Sequence, residues 1–595
     1  MKSNMRLLYI LSSALLFFSG ALAVSVTEGS TAFTFANNWL SFNVLKKNGY
    51  IQALTYDNVS TLGTVSGNAG QVYTDFPSAI FALTSTTTHQ IVNGSDWAGI
   101  ILTDNDTLGS IVQRSWFIRD NEPGLHSFVR LAYYNQTVSK GELGEVRTMF
   151  RPNSGPWSHI ITNNEQWAPL PAAAAVANEV VAQDATWYLG NTPDDPYVVE
   201  ESDYFTKYTF ADNQTNKAHG LYGAKPDGTP LGAWWVVNQK DTFFGGPTHI
   251  DLMVDGIIYN KQSTTHGGAT NPNISYGFDR TFGPQFLYFN QGKNKTLFDL
   301  LADAESLAAP SWNANFYDEI APYVIGYVPS SGRGTFSAKV TLPKGATKPL
   351  AVLSANGVHF QDSAQVPSAY QYWAEIVNGQ VSIPRVKAGT YRLTVFANGI
   401  FGDYIQDNVV VHARKTTILS NVVWKAESAG KELWRIGIPD KTSGEFRNGW
   451  ERDLTHPNHP SKYRIYWGAW DFGTQFPNGV NYTIGKSHDG VDWNYIHWSV
   501  FGPSYTRNNS ITSSNNWTIN FELDSIPKSS SLATFTIQLA GAKTTSGNTD
   551  VASGSNPNFN ISTYVNSQSN PLNWEIQWFE SSSCGERSGG FHRTV

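Results

Sequence analysis

The chain has 595 residues, of which 15% are charged and 13% are aromatic, and its formal net charge is −7. The large apolar and aromatic share excludes an intrinsically disordered chain, and the low charge excludes a coiled coil. The negative net charge and the lack of a Lys/Arg cluster argue against a nucleic-acid partner. A chain of this length is expected to form about three or four domains.

Residues 1–23 have the pattern of a secretory signal peptide. Lys2 and Arg6 precede the apolar stretch LLYILSSALLFF, and a small-residue ALA site predicts cleavage before Val24. The stretch is too short to span a bilayer comfortably, and no later segment reaches the roughly 20 apolar residues that a membrane helix needs. We therefore expect a secreted, extracellular protein with no membrane partner. Its Asn-x-Ser/Thr sites are compatible with glycosylation.

Alternating apolar and polar residues predict β-strands along most of the mature chain, as in HSFVRLAYYN and TYRLTVFANG. Residues 295–310 have apolar residues three and four apart and predict a helix that Pro310 ends. We predict a mostly β protein with a large β-sandwich over residues 24–320. Residues 321–412 have the length of an immunoglobulin-like sandwich. Residues 413–595, rich in Trp, predict a second sandwich of jelly-roll size.

The segment GELGEVRTMFR places Arg147 and Arg151 four residues apart. In a strand, this spacing puts both side chains on one face. Two guanidinium groups there can each bind a carboxylate through paired hydrogen bonds. The alternative, which the spacing alone favours, is two solvated arginines on a strand.

The segment EESDYFTKYTF surrounds Lys207 with aromatic residues. As a strand, it places Phe205, Lys207 and Thr209 on one face and Tyr204 and Phe210 on the other. Desolvation by such neighbours lowers the pKa of a lysine and can leave a usable base. Taken alone, the segment favours the alternative, a surface lysine whose stem packs on the rings.

The segment GGPTHIDLMVDGIIYNKQSTTHGG contains His249, Tyr259 and His266. His266 precedes two glycines, which predicts an exposed loop or strand end. A structural or solvated histidine is the alternative, and no HxH, HExxH or paired-cysteine spacing supports a transition-metal site. Adjacent acids such as Asp194 and Asp195 point to opposite faces of a strand and make a poor acid/base pair for a glycosidase.

Several segments, in their order along the chain, resemble the rhamnogalacturonan endolyases of polysaccharide lyase family 4. The resemblance covers residues from about 24 to about 585. It rests on the motifs GELGEVRTMFR, DYFTKYTF, GGPTHIDL, IIYNKQSTTH, FGPQFLYFNQG, GTYRLTVFANGIFGDY, ELWRIGIPDKTSGEFRNG, FPNGVNYTIGKSHDGVDWNYIHW and FTIQLAGAKTTSGNTDV. The family implies a large catalytic β-sandwich, a fibronectin-III-like domain and a jelly-roll carbohydrate-binding-like domain.

The resemblance assigns roles by motif position. The family's catalytic lysine and histidine correspond to Lys207 and His266, and its two substrate-binding arginines correspond to Arg147 and Arg151. His249 is the competing histidine and ranks lower, because GGPxxxDL has the character of scaffold. Lys207 is expected as the base and His266 as the acid, with the reverse assignment left open.

Three further positions, Tyr259, Tyr204 and Lys261, also bear on the site. Tyr259 resembles an active-site tyrosine, and Tyr204, beside the lysine, is expected to bind substrate. A second family aromatic, two residues after the tyrosine, falls at Lys261 in this chain. This departure puts that contact in doubt.

The family implies β-elimination in the rhamnose–galacturonate backbone of rhamnogalacturonan I, which leaves a 4,5-unsaturated galacturonate end. We expect a monomer with no catalytic metal and no required cofactor. A calcium ion in the last domain stays open, because no compact acidic loop marks one. The rival interpretations are a non-catalytic carbohydrate-binding protein or inactive copy of the fold, and a glycoside hydrolase.

The C-terminal segment departs from the family after NWEIQWFESSSC. It ends in GERSGGFHRTV, which shows no strand alternation. We expect a truncated C-terminus that leaves an open sheet edge in the last domain. Cys584 is the single cysteine of the chain, so no intrachain disulfide can form. Stability must therefore come from large cores.

Overall fold

The structure is a computed structural model. It describes residues 24–77, 80–84, 86–183, 186–263, 272–440, 445–447, 475–494, 508, 516–525, 532–539, 559–566, 568–576 and 590–594. No helix in these ranges has the length and hydrophobicity that a membrane crossing requires.

The first domain is built almost entirely from strands. In chain order they are β1 (Ser25–Glu28), β2 (Ala32–Ala36), β3 (Leu40–Leu45), β4 (Ile51–Tyr56), β5 (Val59–Ser60), β6 (Thr64–Val65), β7 (Asn68–Ala69), β8 (Gln71–Asp75), β9 (Thr88–Asn93), β10 (Trp97–Asn105), β11 (Ser110–Arg119), β12 (Gly124–Tyr133), β13 (Val146–Arg151), β14 (Trp157–Asn163), β15 (Gln166–Pro169), β16 (Val180–Gln183), β17 (Thr186–Tyr188), β18 (Tyr204–Thr206), β19 (Ala211–Asn213), β20 (Ala218–Ala224), β21 (Pro230–Val236), β22 (Ile250–Leu252), β23 (Ile258–Ser263) and β24 (Phe278–Gln291).

Two large sheets face each other in this domain. One has the order β1-β2-β3-β4-β8-β13-β23, with β5 paired to β4, and the other has the order β15-β14-β20-β21-β24-β12-β11-β10-β9. Strand β3 alternates buried Leu40, Phe42 and Val44 with more exposed residues, as expected for a strand with one face on the core. Phe42 from the first sheet and Trp116 from the second belong to one hydrophobic cluster. The expected large β-sandwich is confirmed.

Smaller elements lie around this sandwich. The strands β16, β17 and β18 form a small sheet, and β19 pairs with β22, as β6 does with β7. The helices are α1 (Ala173–Ala177), α2 (Pro196–Glu200), the 3₁₀ turn Lys207–Phe210, α3 (Leu297–Ser306), α4 (Ala314–Ile320) and the 3₁₀ turn Ala321–Tyr323.

Helix α3 confirms the helix predicted over 295–310. The Thr296 hydroxyl accepts a hydrogen bond from the Asp299 backbone N–H (3.1 Å), and the Asp299 carboxylate accepts one from the Thr296 N–H (2.8 Å). This reciprocal pair satisfies donors that would otherwise be unpaired at the helix start. Leu297, Leu300 and Leu301 form the buried face.

The middle unit is a sandwich of two small sheets. Its elements are the 3₁₀ turn Ser330–Gly332, β25 (Arg333–Thr341), β26 (Thr347–Ala355), the 3₁₀ turn Phe360–Gln365, β27 (Tyr372–Glu375), β28 (Gln380–Lys387), β29 (Gly389–Asn398), β30 (Tyr404–Val411) and β31 (Thr416–Val423). The sheet orders are β28-β25-β31 and β27-β26-β29-β30. Strand β31 runs parallel to β25. It lies beyond the boundary expected at residue 412, so the pairing extends the middle unit to residue 423.

Buried polar contacts join the first domain to the middle unit. Arg333 and Asp241 form an ion pair (2.8 Å), and both side chains are about 5% exposed or less. The Tyr372 hydroxyl donates to the same carboxylate (3.1 Å). Arg280 of the first domain donates to backbone carbonyls on both sides, among them those of Thr242 and Ala369. These contacts hold the loop around residue 241 against the middle unit.

The described strands after residue 424 pair two by two. They are β32 (Val480–Thr483), β33 (Trp517–Asn520), β34 (Thr534–Gln538), β35 (Phe559–Thr563), β36 (Leu572–Ile576) and β37 (Gly590–Thr594), with helix α5 (Asp489–Asp492) after β32. Strand β37 lies in the tail whose sequence shows no strand alternation, and it pairs antiparallel with β34. Backbone pairing to β34 needs no alternation of side chains in the tail.

Candidate active site

Three neighbouring strands, β8, β13 and β23, carry the predicted arginines. In the register, Arg147 lies opposite both Asp75 and Lys261, while Met149 lies opposite both Tyr73 and Tyr259. Directly opposite residues share a face, and so do residues two and four apart along one strand. The arginine face therefore includes Met149 and the polar residues Arg147, Arg151, Tyr73, Asp75, Tyr259 and Lys261.

The opposite side of β13 belongs to the core. Phe150 is fully buried in the cluster between the two large sheets, and Thr148 is also fully buried. The sequence alternation of β13 thus sends Arg147 and Arg151 outward together, as their spacing predicted. The alternative of two unrelated solvated arginines does not describe Arg147, which is held by carboxylates.

Arg147 has two acidic partners. Its Nη2 donates to Asp75 Oδ2 (2.8 Å), its Nε donates to the same oxygen (3.1 Å), and its Nη1 lies 3.1 Å from Glu145 Oε2. Burial lowers the pKa of Arg147, but the nearby Glu145 and Asp75 carboxylates outweigh it, so the pKa lies above its ordinary value. The charge of Arg147 is largely balanced within the protein.

Arg151 is in a different environment. It is exposed, and its Nη1 donates to the Tyr73 hydroxyl (3.3 Å), a neutral group. This hydrogen bond is the main cause that raises the pKa of Arg151 above its ordinary value. Within the described ranges, no carboxylate lies at ion-pair distance from Arg151. Its guanidinium can therefore take a carboxylate from outside the protein.

Tyr259 lies between the arginines and an acid that the sequence analysis missed. Its hydroxyl donates to Asp255 Oδ2 (2.9 Å), and its ring packs with Met149 and Leu252. Burial and the Asp255 carboxylate raise the pKa of Tyr259, while Arg147 and Arg151 act in the opposite direction. The phenol is therefore held in its neutral form.

Lys207 lies at the first position of the 3₁₀ turn Lys207–Phe210, directly after β18. The predicted extended geometry is wrong beyond Thr206, because β18 ends at its pairing with Thr186 and the chain then turns. Phe205 points into the core of the sandwich. Burial raises the pKa of Asp255, and the charge of Lys207 is among the influences that act against this rise. Lys207 thus lies within electrostatic reach of the Asp255–Tyr259 pair.

Tyr204 belongs to the small sheet on the other side of this turn. It lies opposite Tyr188, and the two rings are 5.2 Å apart. Its backbone carbonyl accepts a hydrogen bond from the Tyr197 hydroxyl (3.1 Å). Tyr204 thus lies three residues before Lys207 in the chain but on a separate sheet from the arginine face.

Lys261 is turned away from solvent, with a side chain only 2% exposed. Its Nζ lies 2.7 Å from Asp251 Oδ1 and 3.6 Å from Glu145 Oε1. Glu145 therefore links Lys261 to Arg147. At this position the family resemblance implies an aromatic residue. The chain has instead a buried lysine, which supports the site through its ion pairs.

Of the two candidate histidines, the structure describes one. His249 Nε2 lies 3.5 Å from Asp251 Oδ2, so this ring belongs to the group around Lys261. His266 lies outside the described residues. In the ranges that are described, no group of three or more His, Cys, Asp or Glu side chains could hold a metal ion.

The missed acids have only weak signals in the sequence. Glu145 lies within GELGEVRTMFR, two residues before Arg147 and thus at strand spacing from it. Asp255 is followed by Gly256, a pair typical of turns, and Tyr259 comes four residues later. Asp75 is 72 residues away from its partner Arg147, and only the sheet register brings the two together.

Three family models match separate parts of the chain. Residues 156–249 match the model described as "Probable rhamnogalacturonate lyase B middle domain". Residues 343–419 match "Polysaccharide lyase family 4, domain II", and residues 432–592 match "Polysaccharide lyase family 4, domain III". The last two matches agree with a fibronectin-III-like middle unit and a carbohydrate-binding-like last domain.

Curated relatives match over nearly the whole chain. A protein named probable rhamnogalacturonate lyase B from Aspergillus niger is 49% identical over 98% of this chain and 86% of its own length. Rhamnogalacturonate lyase B of Emericella nidulans is 50% identical over 95% of this chain and 89% of its own length. A probable rhamnogalacturonate lyase C from Emericella nidulans is 44% identical over 96% of this chain and 56% of its own length. The chain belongs to the rhamnogalacturonate lyases of polysaccharide lyase family 4.

Proposed function

We propose that this protein is a secreted lyase that cleaves the rhamnose–galacturonate backbone of rhamnogalacturonan I by β-elimination. The observation that carries the proposal is the arginine face, where Arg151 offers an exposed guanidinium beside Tyr259 and within reach of the Lys207 region. The names of relatives that are 49% and 50% identical support the substrate.

In the proposed reaction, Arg151 binds the galacturonate carboxylate. The positive charge makes the proton on C5 more acidic and stabilises the enolate that forms when the proton leaves. Lys207 takes this proton as the base. The C4–O bond then breaks, a C4–C5 double bond forms, and the departing oxygen takes a proton, for which we assign His266.

Arg147 has a supporting part in this scheme. Its two carboxylate partners, Asp75 and Glu145, fix its position and balance its charge. Arg147 thereby keeps Asp75 and Glu145 in place beside the site, whereas Arg151 supplies the hydrogen bonds to the substrate. Tyr259 stays protonated, because its pKa is raised, and is therefore not the base.

The product distinguishes the proposal from its rivals. Elimination leaves a double bond conjugated with the carboxyl group, which absorbs ultraviolet light, whereas hydrolysis leaves no such bond and a binding protein makes no product. Rhamnogalacturonan I incubated with the purified chain should show a steady rise in this absorbance. Cleavage without absorbance would identify a hydrolase, and the absence of cleavage would identify a binding protein or inactive copy.

Replacing the proposed base tests the site. Lys207→Ala should reduce the rate by about 10²–10⁴-fold, the usual contribution of a general base, while the thermal unfolding temperature stays close to that of the wild type. Lys293→Ala, an exposed lysine before α3, is the matched control and should keep full activity. Full activity of Lys207→Ala would show that this assignment is wrong.

A further inference from the structure

Asp255 is held in a tight turn directly before β23. Val254 and Ile258 form an isolated antiparallel bridge, and Gly256 between them has a φ of +94°, a value that favours glycine. The Asp255 N–H donates to the Ile257 carbonyl (3.1 Å), and the Ile257 N–H donates to Asp255 Oδ1 (3.2 Å). The backbone thus fixes one oxygen of the carboxylate.

The other carboxylate oxygen of Asp255 accepts a hydrogen bond from a residue of the arginine face. Asp255 Oδ2 accepts the hydroxyl proton of Tyr259 at 2.9 Å. Tyr259 is 7% exposed and packs against Met149, Leu252 and Ala211, so its ring has little freedom to turn away. The hydroxyl proton therefore points at Asp255, which leaves the lone pairs of the phenol oxygen for other partners.

This geometry defines what Tyr259 can offer a substrate. A hydroxyl that donates its one proton to a carboxylate can interact with other partners only as a hydrogen-bond acceptor. Burial and Asp255 raise the pKa of the same phenol, and the charges of Arg147 and Arg151 act against this rise. Asp255 is in turn within reach of the charges of Lys207, Lys261 and Arg151.

We propose that Asp255 is a positioning residue for the elimination reaction: it fixes the Tyr259 hydroxyl as a hydrogen-bond acceptor toward the bound galacturonate. Asp255 acts through Tyr259 and does not itself contact the substrate. This inference rests on the proposed function of the arginine face. It adds a residue that neither the sequence motifs nor the charge pattern identified.

Asp255→Asn is the appropriate change, because it keeps the shape of the side chain and removes one acceptor oxygen. The amide can accept from either the Ile257 N–H or the Tyr259 hydroxyl, but it then turns its own NH₂ donors toward the other. We expect kcat/KM to fall about 10- to 100-fold, the range for a hydrogen bond to a charged group. Asp227→Asn, at an exposed turn of the same domain, is the matched control and should keep full activity.

A double-mutant cycle with Tyr259→Phe separates positioning from mere support of the fold. If Asp255 acts only through the tyrosine hydroxyl, the double variant loses no more activity than the Tyr259→Phe variant alone, and both singles divide their losses between kcat and KM in the same way. If Asp255→Asn does not fold, Asp255→Ser takes its place in the same cycle.

The outcomes distinguish this inference from the proposed function. An active wild type with losses that multiply in the double variant, or with full activity in Asp255→Asn, overturns the role of Asp255 and leaves the lyase proposal standing. A wild type that releases no unsaturated product overturns the proposed function and, with it, this inference.

Discussion

The two arginines of β13 should respond differently to the same substitution, although they lie on one face of one strand. Arg147 is bound by Asp75 and Glu145, whereas Arg151 is exposed and bound to the neutral hydroxyl of Tyr73. Replacing each by glutamine removes the charge and keeps a polar side chain. The pair of variants tests which guanidinium binds the substrate carboxylate.

For Arg151→Gln, we expect the loss to appear in kcat/KM, because the substitution removes a hydrogen bond to the substrate. A hydrogen bond to a charged group is worth about 1.5–3 kcal/mol, and the exposure of Arg151 favours the lower half of that range. This corresponds to a fall in kcat/KM of about 10- to 30-fold. The free energy of unfolding should stay close to the wild-type value, because the substitution removes an exposed hydrogen bond to Tyr73 and breaks no ion pair in the described ranges.

For Arg147→Gln, we expect the first effect to be a loss of folding stability. The change leaves two partly buried carboxylates, 43% and 24% exposed, beside each other without their shared cation. Partly exposed ion pairs of this kind contribute up to about 1 kcal/mol each. The unfolding temperature should therefore fall by about 2–4 °C for each kcal/mol of stability that is removed.

Initial rates of absorbance on rhamnogalacturonan I, together with thermal unfolding curves, measure both effects. The reasoning is refuted if Arg151→Gln keeps the wild-type kcat/KM while Arg147→Gln loses activity at an unchanged unfolding temperature. Arg147 would then be the group that binds the substrate, and its carboxylate partners would have to release it when the substrate arrives.

Two further predictions concern the support of the site. Lys261→Tyr, which introduces the family's aromatic residue, should cost about 3–5 kcal/mol in denaturant unfolding, because it leaves the buried Asp251 carboxylate without its cation; an unchanged midpoint would contradict the ion pair. His219 donates toward the Tyr259 carbonyl, and burial lowers its pKa to about 4. Since the unfolded chain takes up this proton near its ordinary pKa of 6.5, stability should fall by about 3 kcal/mol as the pH drops from about 6.5 to about 4. His219→Gln should remove that part of the pH dependence.

Residue patterns within one segment correctly predicted the features that depend only on residues close in sequence. The shared face of Arg147 and Arg151 and the apolar period of α3 both agree with the structure, because each depends on residues close in sequence. The extended geometry of Lys207 was wrong, since strand length depends on where pairing with another strand ends. The alternation of residues 204–210 continues in the sequence after the partner strand has ended.

The acids of the site could not be predicted from the sequence, because their contacts depend on sheet register and on the conformation of a turn. Asp75 faces Arg147 through the register of β8 on β13, and Asp255 reaches Tyr259 through a turn whose conformation depends on Gly256. Neither relation is visible as a motif, because register is set by the packing of whole sheets. The family resemblance identified the cations of the site but none of the carboxylates that hold them.

Those carboxylates change how the site attracts its substrate. Arg147, Arg151 and Lys207 are cations in a chain whose formal net charge is −7. In the described part of the chain, Arg147 lies with Asp75 and Glu145, and Lys261 lies with Asp251, so the charges of these two cations are largely balanced. A net positive field is therefore a weak explanation for binding. We expect selectivity to depend instead on position, since the exposed guanidinium of Arg151 lies beside a tyrosine whose hydroxyl donates a hydrogen bond to Asp255.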